Sequence, residues 1–291
     1  KLVDYASSKN VLRELEYWNE IEKRSFESLE KERSNLENTW GDSRTLSISL
    51  NEKDTQSLLK DTHRAYKTDM NNLLLCTLGF ALHECTGQEE IPLHLEGHGR
   101  EQISSDLDVS RTIGWFTSIY PIVLKIYDSN NISYQIKTTK EMLRKIPNNG
   151  MNYNVLRYLK DEAGKSEIFQ SIPDISFNYL GQFDQEMQEE LFSISQLSSG
   201  TPISGDNERI YKLDIIAMIE NGIFTLNVSF SNHIYTEQTI TKFINSYKKH
   251  LLLIIEHCVT KDENEVTPSD FSIKNDTFED LEATFSILES L

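Results

Sequence analysis

The chain has 291 residues, 46 acidic and 29 basic, for a formal net charge of −17. That length supports one large or two ordinary domains with a substantial core, and the acidic excess argues against a nucleic-acid backbone or a membrane surface as the main partner. Cys76, Cys85 and Cys258 lack paired or metal-ligand spacing, so neither a disulfide framework nor a metal site is indicated, and a reducing cytoplasmic setting suits them.

Residues 2–36 are expected to be helical, because Leu12, Leu15, Trp18 and Ile21, with Phe26 and Leu29, recur at three- and four-residue steps. The later part is charged enough to be an exposed face or a linker. With Lys1 in place of an initiator Met and an opening that reads as mid-helix, the chain is expected to be a fragment. It has no signal-peptide layout and no apolar run near the ~20 residues that span a bilayer. Thr45 to Leu50 alternates as a strand, and Asn51 then caps a helix expected to reach Tyr66, with Asp54 completing an approximate capping box. A second helix, Asp69 to Glu84, is apolar on most sides and should be buried; Cys76 within it and Cys258 later read as small core residues. His83 near its end suits the helix dipole.

After Gly87, Leu93 and Leu95 alternate as a half-buried strand that runs into Glu96-Gly97-His98-Gly99-Arg100-Glu101. A carboxylate at a strand end, before a glycine-relieved turn, can point into a cleft that sets its ionisation. The same loop equally permits a surface salt bridge between Glu96 and Arg100. Farther on, Arg111 to Ser118 is glycine- and aromatic-rich, and Ile119 to Leu124 is a strand; Trp115 and Phe116 suit either a substrate channel or ordinary core. Residues 131–146 read as a helix, and Pro147-Asn148-Asn149-Gly150 as a turn into a short helix, Tyr153 to Lys160. Asp174 to Asp184 alternates as a strand, with Asn178 and Leu180 on one face and Phe177 and Tyr179 on the other. Beyond an irregular segment, 193–209, Tyr211 to Ile219 and Ile223 to Phe230 flank Glu220-Asn221-Gly222, a strong hairpin signal. Thr236 opens a helix from Glu237 to His257. This order implies an α/β sandwich with a mixed sheet packed by helices, not a doubly wound one.

Taken together, these segments resemble the epimerization domains of nonribosomal peptide synthetases, relatives of the condensation domains in the chloramphenicol-acetyltransferase-like fold, over about residues 10–272. Glu96 to Glu101 matches the family's EGHGRE motif, Arg111 to Pro121 its RTVGWFTSxYP motif with Ile113 changed, and Phe177 to Asp184 its FNYLGQFD motif. Asp69 to Gly79 is similar to a more diffuse motif. Two departures stand out. The PxxGxGYG motif keeps Pro147, Gly150 and Tyr153 but has Asn152 and Asn154 in place of two glycines, and no His-His pair answers to HHxxxDG. In the family that motif lies upstream, so a front lobe carrying it is expected to be missing here.

The resemblance implies inversion at the α-carbon of an aminoacyl or peptidyl thioester on a peptidyl carrier protein. The domain would need no cofactor of its own, the phosphopantetheine belonging to the carrier. Inversion needs removal of a proton on one face and return on the other, most simply by two opposed groups. Glu96, its pKa raised by burial, would be one and the missing motif's His the other. The resemblance also places Asn178 and Tyr179 near the site, although their opposite strand faces let only one reach substrate unless a bulge re-aims the other. Arg111 would orient the Glu96 loop, contact the carrier arm or form a structural salt bridge. Trp115 and Tyr120 would shape a tunnel, with Tyr179 equally readable as core, and His98 and Arg100 would hold the loop.

A peptide-bond-forming condensation domain and a non-catalytic carrier-docking module are the competing readings. The expected division is 1–43, the helical end of the front lobe and a connector; 44–265, the C-terminal lobe; and 266–291, a linker and an acidic tail. In that tail Phe278, Leu281, Phe285 and Leu288 make an amphipathic helix. It would either dock a downstream synthetase subunit or pack back on its own domain.

Overall fold

Alternation of apolar and polar residues builds the centre of the fold. The computed structural model describes residues 1–24, 32, 38–104, 107–159, 169, 172–182, 197, 200 and 202–271. Its strands are β1 (Ser43–Ser49), β2 (Glu90–Gly97), β3 (Ser118–Lys125), β4 (Ile175–Gln182), β5 (Leu213–Glu220) and β6 (Ile223–Ser231). They form one sheet in the order β1-β6-β5-β4-β2-β3. The β2/β4 and β4/β5 pairs run parallel and the other neighbours antiparallel, which is the mixed sheet expected.

Strand register puts Leu95, Phe177, Ile215 and Val228 in one row across four strands, none more than 4% exposed. This apolar face shares one core with α4 (Glu52–Lys60), α5 (Met70–Thr86), α6 (Ile132–Arg144) and α8 (Glu237–Thr260). Burying each large aliphatic or aromatic side chain contributes about 1.5–3 kcal/mol, so this face holds the lobe together. Every residue of α5 from Asn72 to Leu82 is buried, Cys76 among them, as its apolar composition predicts; Cys258 is buried too, whereas Cys85 is exposed. The opposite sheet face carries His94, Glu96, Ser176, Asn178, Asp214 and Ser229, and is therefore polar.

Local signals explain most element ends. The Asn51 side chain accepts from the Asp54 amide, and Asp69 and Asn72 form a reciprocal capping box. Thr236 caps α8, and Gly87 closes α5 in the left-handed region at φ 73°. Asn221 and Gly222 both have positive φ, 51° and 71°, as a two-residue hairpin turn of this hand requires.

The structure corrects two helices. Residues 2–22 are not one helix but three, α1 (Leu2–Ala6), α2 (Lys9–Leu12) and α3 (Leu15–Glu22). Ser8 is extended and its hydroxyl accepts from Val11 N, which restarts the helix. The apolar period survives the breaks because Ala6, Val11 and Trp18 still face one way. Trp18 is fully buried, its ring centroid 5.1 Å from Tyr153 of α7 (Met151–Leu159) and 6.2 Å from Tyr120 of β3. Phe26 and Leu29 lie outside the described residues. Likewise α4 stops at Lys60 rather than Tyr66. Ala65 and Tyr66 are buried from a turn that ends with Lys67 at φ 49°, and the Tyr66 carbonyl accepts from Lys140 Nζ at 2.7 Å.

Residues 261–271 are packed rather than extended away. Glu265 pairs with Lys137 at 2.7 Å, and Asp270 with Lys140 at 2.6 Å and Arg144 at 2.7 Å, which fastens a 3-10 turn at Pro268–Phe271 to α6. The start of the segment read as a linker thus belongs with the lobe. The amphipathic tail expected at 275–291 lies outside the described residues, as do Lys160, Phe183 and Asp184. Among the described residues no helix is long and apolar enough to cross a membrane.

Candidate active site

The polar sheet face brings two distant motifs together. In the parallel β2/β4 pair His94 stands beside Ser176; two residues on, Asn178 Nδ2 donates to Glu96 Oε2 at 2.6 Å. Oε1 of the same carboxylate has no hydrogen-bond partner among the described residues. Burial pushes the Glu96 carboxyl above its ordinary range, the neighbouring Asp214 carboxylate adds to this, and the Asn178 amide opposes it.

Asp214 enters from β5, where it stands beside Ser176. Ser176 Oγ donates to one of its oxygens at 2.8 Å and Arg209 Nη2 to the other at 2.6 Å. Arg209 is itself buried, its Nη1 donating to the hydroxyls of Ser43 and Ser229 and its guanidinium lying 4.6 Å from the Trp40 ring centroid. Next along the face, His94 Nδ1 lies 2.8 Å from the Tyr211 hydroxyl. Burial, reinforced by the Arg157 charge, pulls the His94 pKa down to about 4. None of His94, Tyr211, Asp214 or Arg209 was singled out from sequence. The available signal was position: His94 between Leu93 and Leu95, and Asp214 between Leu213 and Ile215, take polar places in otherwise apolar alternation, on the face of Glu96.

The remaining sequence candidates divide. Arg100 does not pair with Glu96, so the surface salt-bridge reading falls. Its guanidinium donates to the carbonyls of Val109, Thr112 and Gly114 and stacks 4.2 Å from the Phe116 ring centroid, tying the two motif loops together. His98 Nδ1 accepts from Arg100 N at 3.0 Å, and its Nε2 is 3.2 Å from Glu101, which also accepts from Asn149 Nδ2 at 3.0 Å. Gly99 has φ 61°, and a Cβ there would lie 1.7 Å from the Phe116 carbonyl oxygen, so only glycine permits this loop contact.

Tyr179 keeps regular register with Ala217, and the β4 irregularity falls between Tyr179 and Gln182. It therefore stays on the face opposite Asn178, packed at the core margin, and no bulge re-aims it. Tyr120 pairs with Leu95 and shares that apolar face; it is buried with its hydroxyl pushed up to about 12, chiefly by burial. Arg111 is exposed, with no ion pair or hydrogen bond among the described residues. Trp115 is 90% exposed, which excludes the reading of it as core. A cavity of about 360 Å³, lined by Tyr17, Val123, Tyr134 and Met142 among others, includes none of the motif residues.

A family model described as the condensation domain matches residues 1–275. The chain belongs to the condensation-domain family. Among its relatives, surfactin synthase subunit 1 of Bacillus subtilis is 42% identical over 99% of this chain and 8% of its own length. Gramicidin S synthase 1 of Brevibacillus brevis is 40% identical over 99% of this chain and 27% of its own length. The crystal structure of the epimerization domain from the third module of tyrocidine synthetase B superposes with a TM-score of 0.84 at 43% identity, over 90% of this chain and 59% of that one. The chain is thus a condensation-family domain of the nonribosomal peptide synthetase kind, with the mixed sheet and helices of the chloramphenicol-acetyltransferase-like fold. It spans about a quarter or less of the two synthetases and under two thirds of the structural neighbour.

Proposed function

We propose that the chain is the Glu96-bearing part of an epimerization domain, acting on an aminoacyl or peptidyl thioester held by the phosphopantetheine arm of a peptidyl carrier protein. The Glu96–Asn178 hydrogen bond carries this reading. It draws the EGHGRE and FNYLGQ segments to one point on a half-buried polar face, where Asn178 holds one carboxylate oxygen and leaves the other to take a proton. A thioester α-proton is far less acidic than a carboxyl group, so a base with a raised pKa, close to the carbon and shielded from water, suits the task. Glu96 removes the proton from one face, and a group outside these residues returns one to the other face; in the opposite direction protonated Glu96 is the donor. By the resemblance, the opposing group is the His of HHxxxDG on a preceding lobe.

The family model's description equally covers peptide-bond formation. The EGHGRE and GWFTSIYP segments, and the similarity to a solved epimerization domain, favour inversion over it.

In the intact synthetase that carries this chain, the α-proton of the carrier-bound aminoacyl thioester is expected to exchange with deuterium oxide, and the 291-residue chain alone is expected not to exchange it. The rate should rise with pH as Glu96 ionises. Because its carboxyl is raised, the rise should fall above the ordinary glutamate value of about 4.3, and Asp214→Asn, which removes a like charge, should move it to lower pH. A rise at the ordinary position, unmoved by Asp214→Asn, or efficient exchange by the isolated chain, would contradict this reading.

A further inference from the structure

Beside Glu96 on the polar face, His94 and Tyr211 bond each other and take no part in the Glu96–Asn178 hydrogen bond. The Tyr211 backbone carbonyl accepts from Asn38 Nδ2 at 3.2 Å, and its ring meets His94 edge to face with centroids 5.5 Å apart. The only oxygen-to-nitrogen contact between the two is Tyr211 Oη to His94 Nδ1, 2.8 Å. His94 is 5% exposed, and with its pKa near 4 the ring is neutral at working pH and carries a single N–H. Its other nitrogen, Nε2, is buried with no hydrogen-bond partner among the described residues.

That orphan decides the tautomer. With the proton on Nε2, a buried N–H would be stranded while Tyr211 donated to Nδ1. With the proton on Nδ1, the N–H is used on the Tyr211 oxygen and a ring lone pair alone goes unpaired. Stranded buried N–H groups are rare and costly, whereas unpaired acceptors are better tolerated. His94 therefore donates and Tyr211 accepts, so the phenolic proton is not spent on His94. Burial, with the nearby Asp214 and Glu96 carboxylates and against Arg157, keeps that phenol protonated.

We propose that Tyr211, oriented by His94 Nδ1–H, is a further catalytic residue whose hydroxyl donates a hydrogen bond to the thioester carbonyl oxygen while Glu96 removes the α-proton. The electron pair of the broken C–H bond moves into the forming C–C double bond, and the carbonyl pair moves onto oxygen. Tyr211 stabilises that charge without transferring its own proton. When a proton returns to carbon, the pair returns with it, and no oxidant or co-reactant is needed. His94 is a positioning residue that fixes which way the phenol points.

This inference rests on Glu96 being the acid/base group, and two measurements separate the claims. Long-range proton–nitrogen spectra of the nitrogen-15-labelled 291-residue chain, with the His94 signals identified by their loss in His94→Gln, should show the Nδ1–H tautomer at neutral pH. An Nε2–H tautomer would overturn the proposal whatever the activity data. In the intact synthetase, Tyr211→Phe should lower the maximal rate of α-proton exchange by about 10²–10³-fold, the loss typical of one donor to a developing oxyanion, with little change in the carrier-thioester concentration at half-maximal rate. With Glu96→Gln run beside it, retained exchange in Glu96→Gln sinks the reading of the whole site. Loss in Glu96→Gln with full exchange in Tyr211→Phe sinks the Tyr211 proposal alone.

Discussion

Glu96→Gln, made in the intact synthetase, is expected to lose about 10²–10⁴-fold of the α-proton exchange rate, the range for removing a positioned acid/base group. The substitution keeps volume, and the new amide oxygen can still accept from Asn178 Nδ2, which now reaches the carboxylate at 2.6 Å. What it removes is the capacity to take and return a proton. Thermal stability should change little, since Glu96 is half-buried and carries no ion pair among the described residues. Exchange at the wild-type rate, measured by deuterium incorporation at the α-carbon, would take Glu96 out of the mechanism.

The pairing behind that prediction was only half legible beforehand. Alternation placed Asn178 and Tyr179 on opposite faces of β4, and Leu93 and Leu95 on the face of β2 away from Glu96. Each strand's polar side was therefore known. That β2 and β4 are parallel neighbours was not, because nothing local to either strand encodes a contact across 82 positions. Local chemistry was a good guide where it acts locally, as at the Asp69 cap and the Asn221-Gly222 turn. It misled where tertiary burial imitates a helical period, as at Tyr66, whose carbonyl is taken by Lys140. Single polar residues within apolar strands, such as His94 and Asp214, carry little sequence signal, because one such residue weakens an alternation without announcing a site. Arg100 was readable as a loop-holding residue, but its partners, backbone carbonyls at 109, 112 and 114, leave no mark in side-chain pattern.

Asp270→Ala should destabilise the lobe by about 3–5 kcal/mol, the usual cost of breaking a buried ion pair by removing one partner. The Lys140 side chain is fully buried, and its ammonium donates to Asp270 at 2.6 Å and to the Tyr66 carbonyl at 2.7 Å. Burial already pulls the Lys140 pKa down, with Asp270 holding it up. Without Asp270 an ammonium is left in the core with one carbonyl, and Arg144 loses its ion pair while keeping the Ser269 hydroxyl and the Lys67 carbonyl. The melting temperature should fall by on the order of 10 °C. Adding Lys140→Met should recover part of the loss, because a buried aliphatic chain needs no counter-charge. A loss below about 1 kcal/mol, or no recovery in the double variant, would show that residues 267–271 are not held as described.

Inversion is tested most directly by approaching equilibrium from both sides. The intact synthetase, with its carrier loaded separately with the L- and the D-aminoacyl thioester in deuterium oxide, should reach the same L-to-D ratio from either start, with deuterium at the α-carbon of the inverted product. A ratio that stays where it began, with no deuterium taken up and peptide formed only when an acceptor aminoacyl carrier is supplied, would contradict epimerization and leave condensation as the activity of this chain.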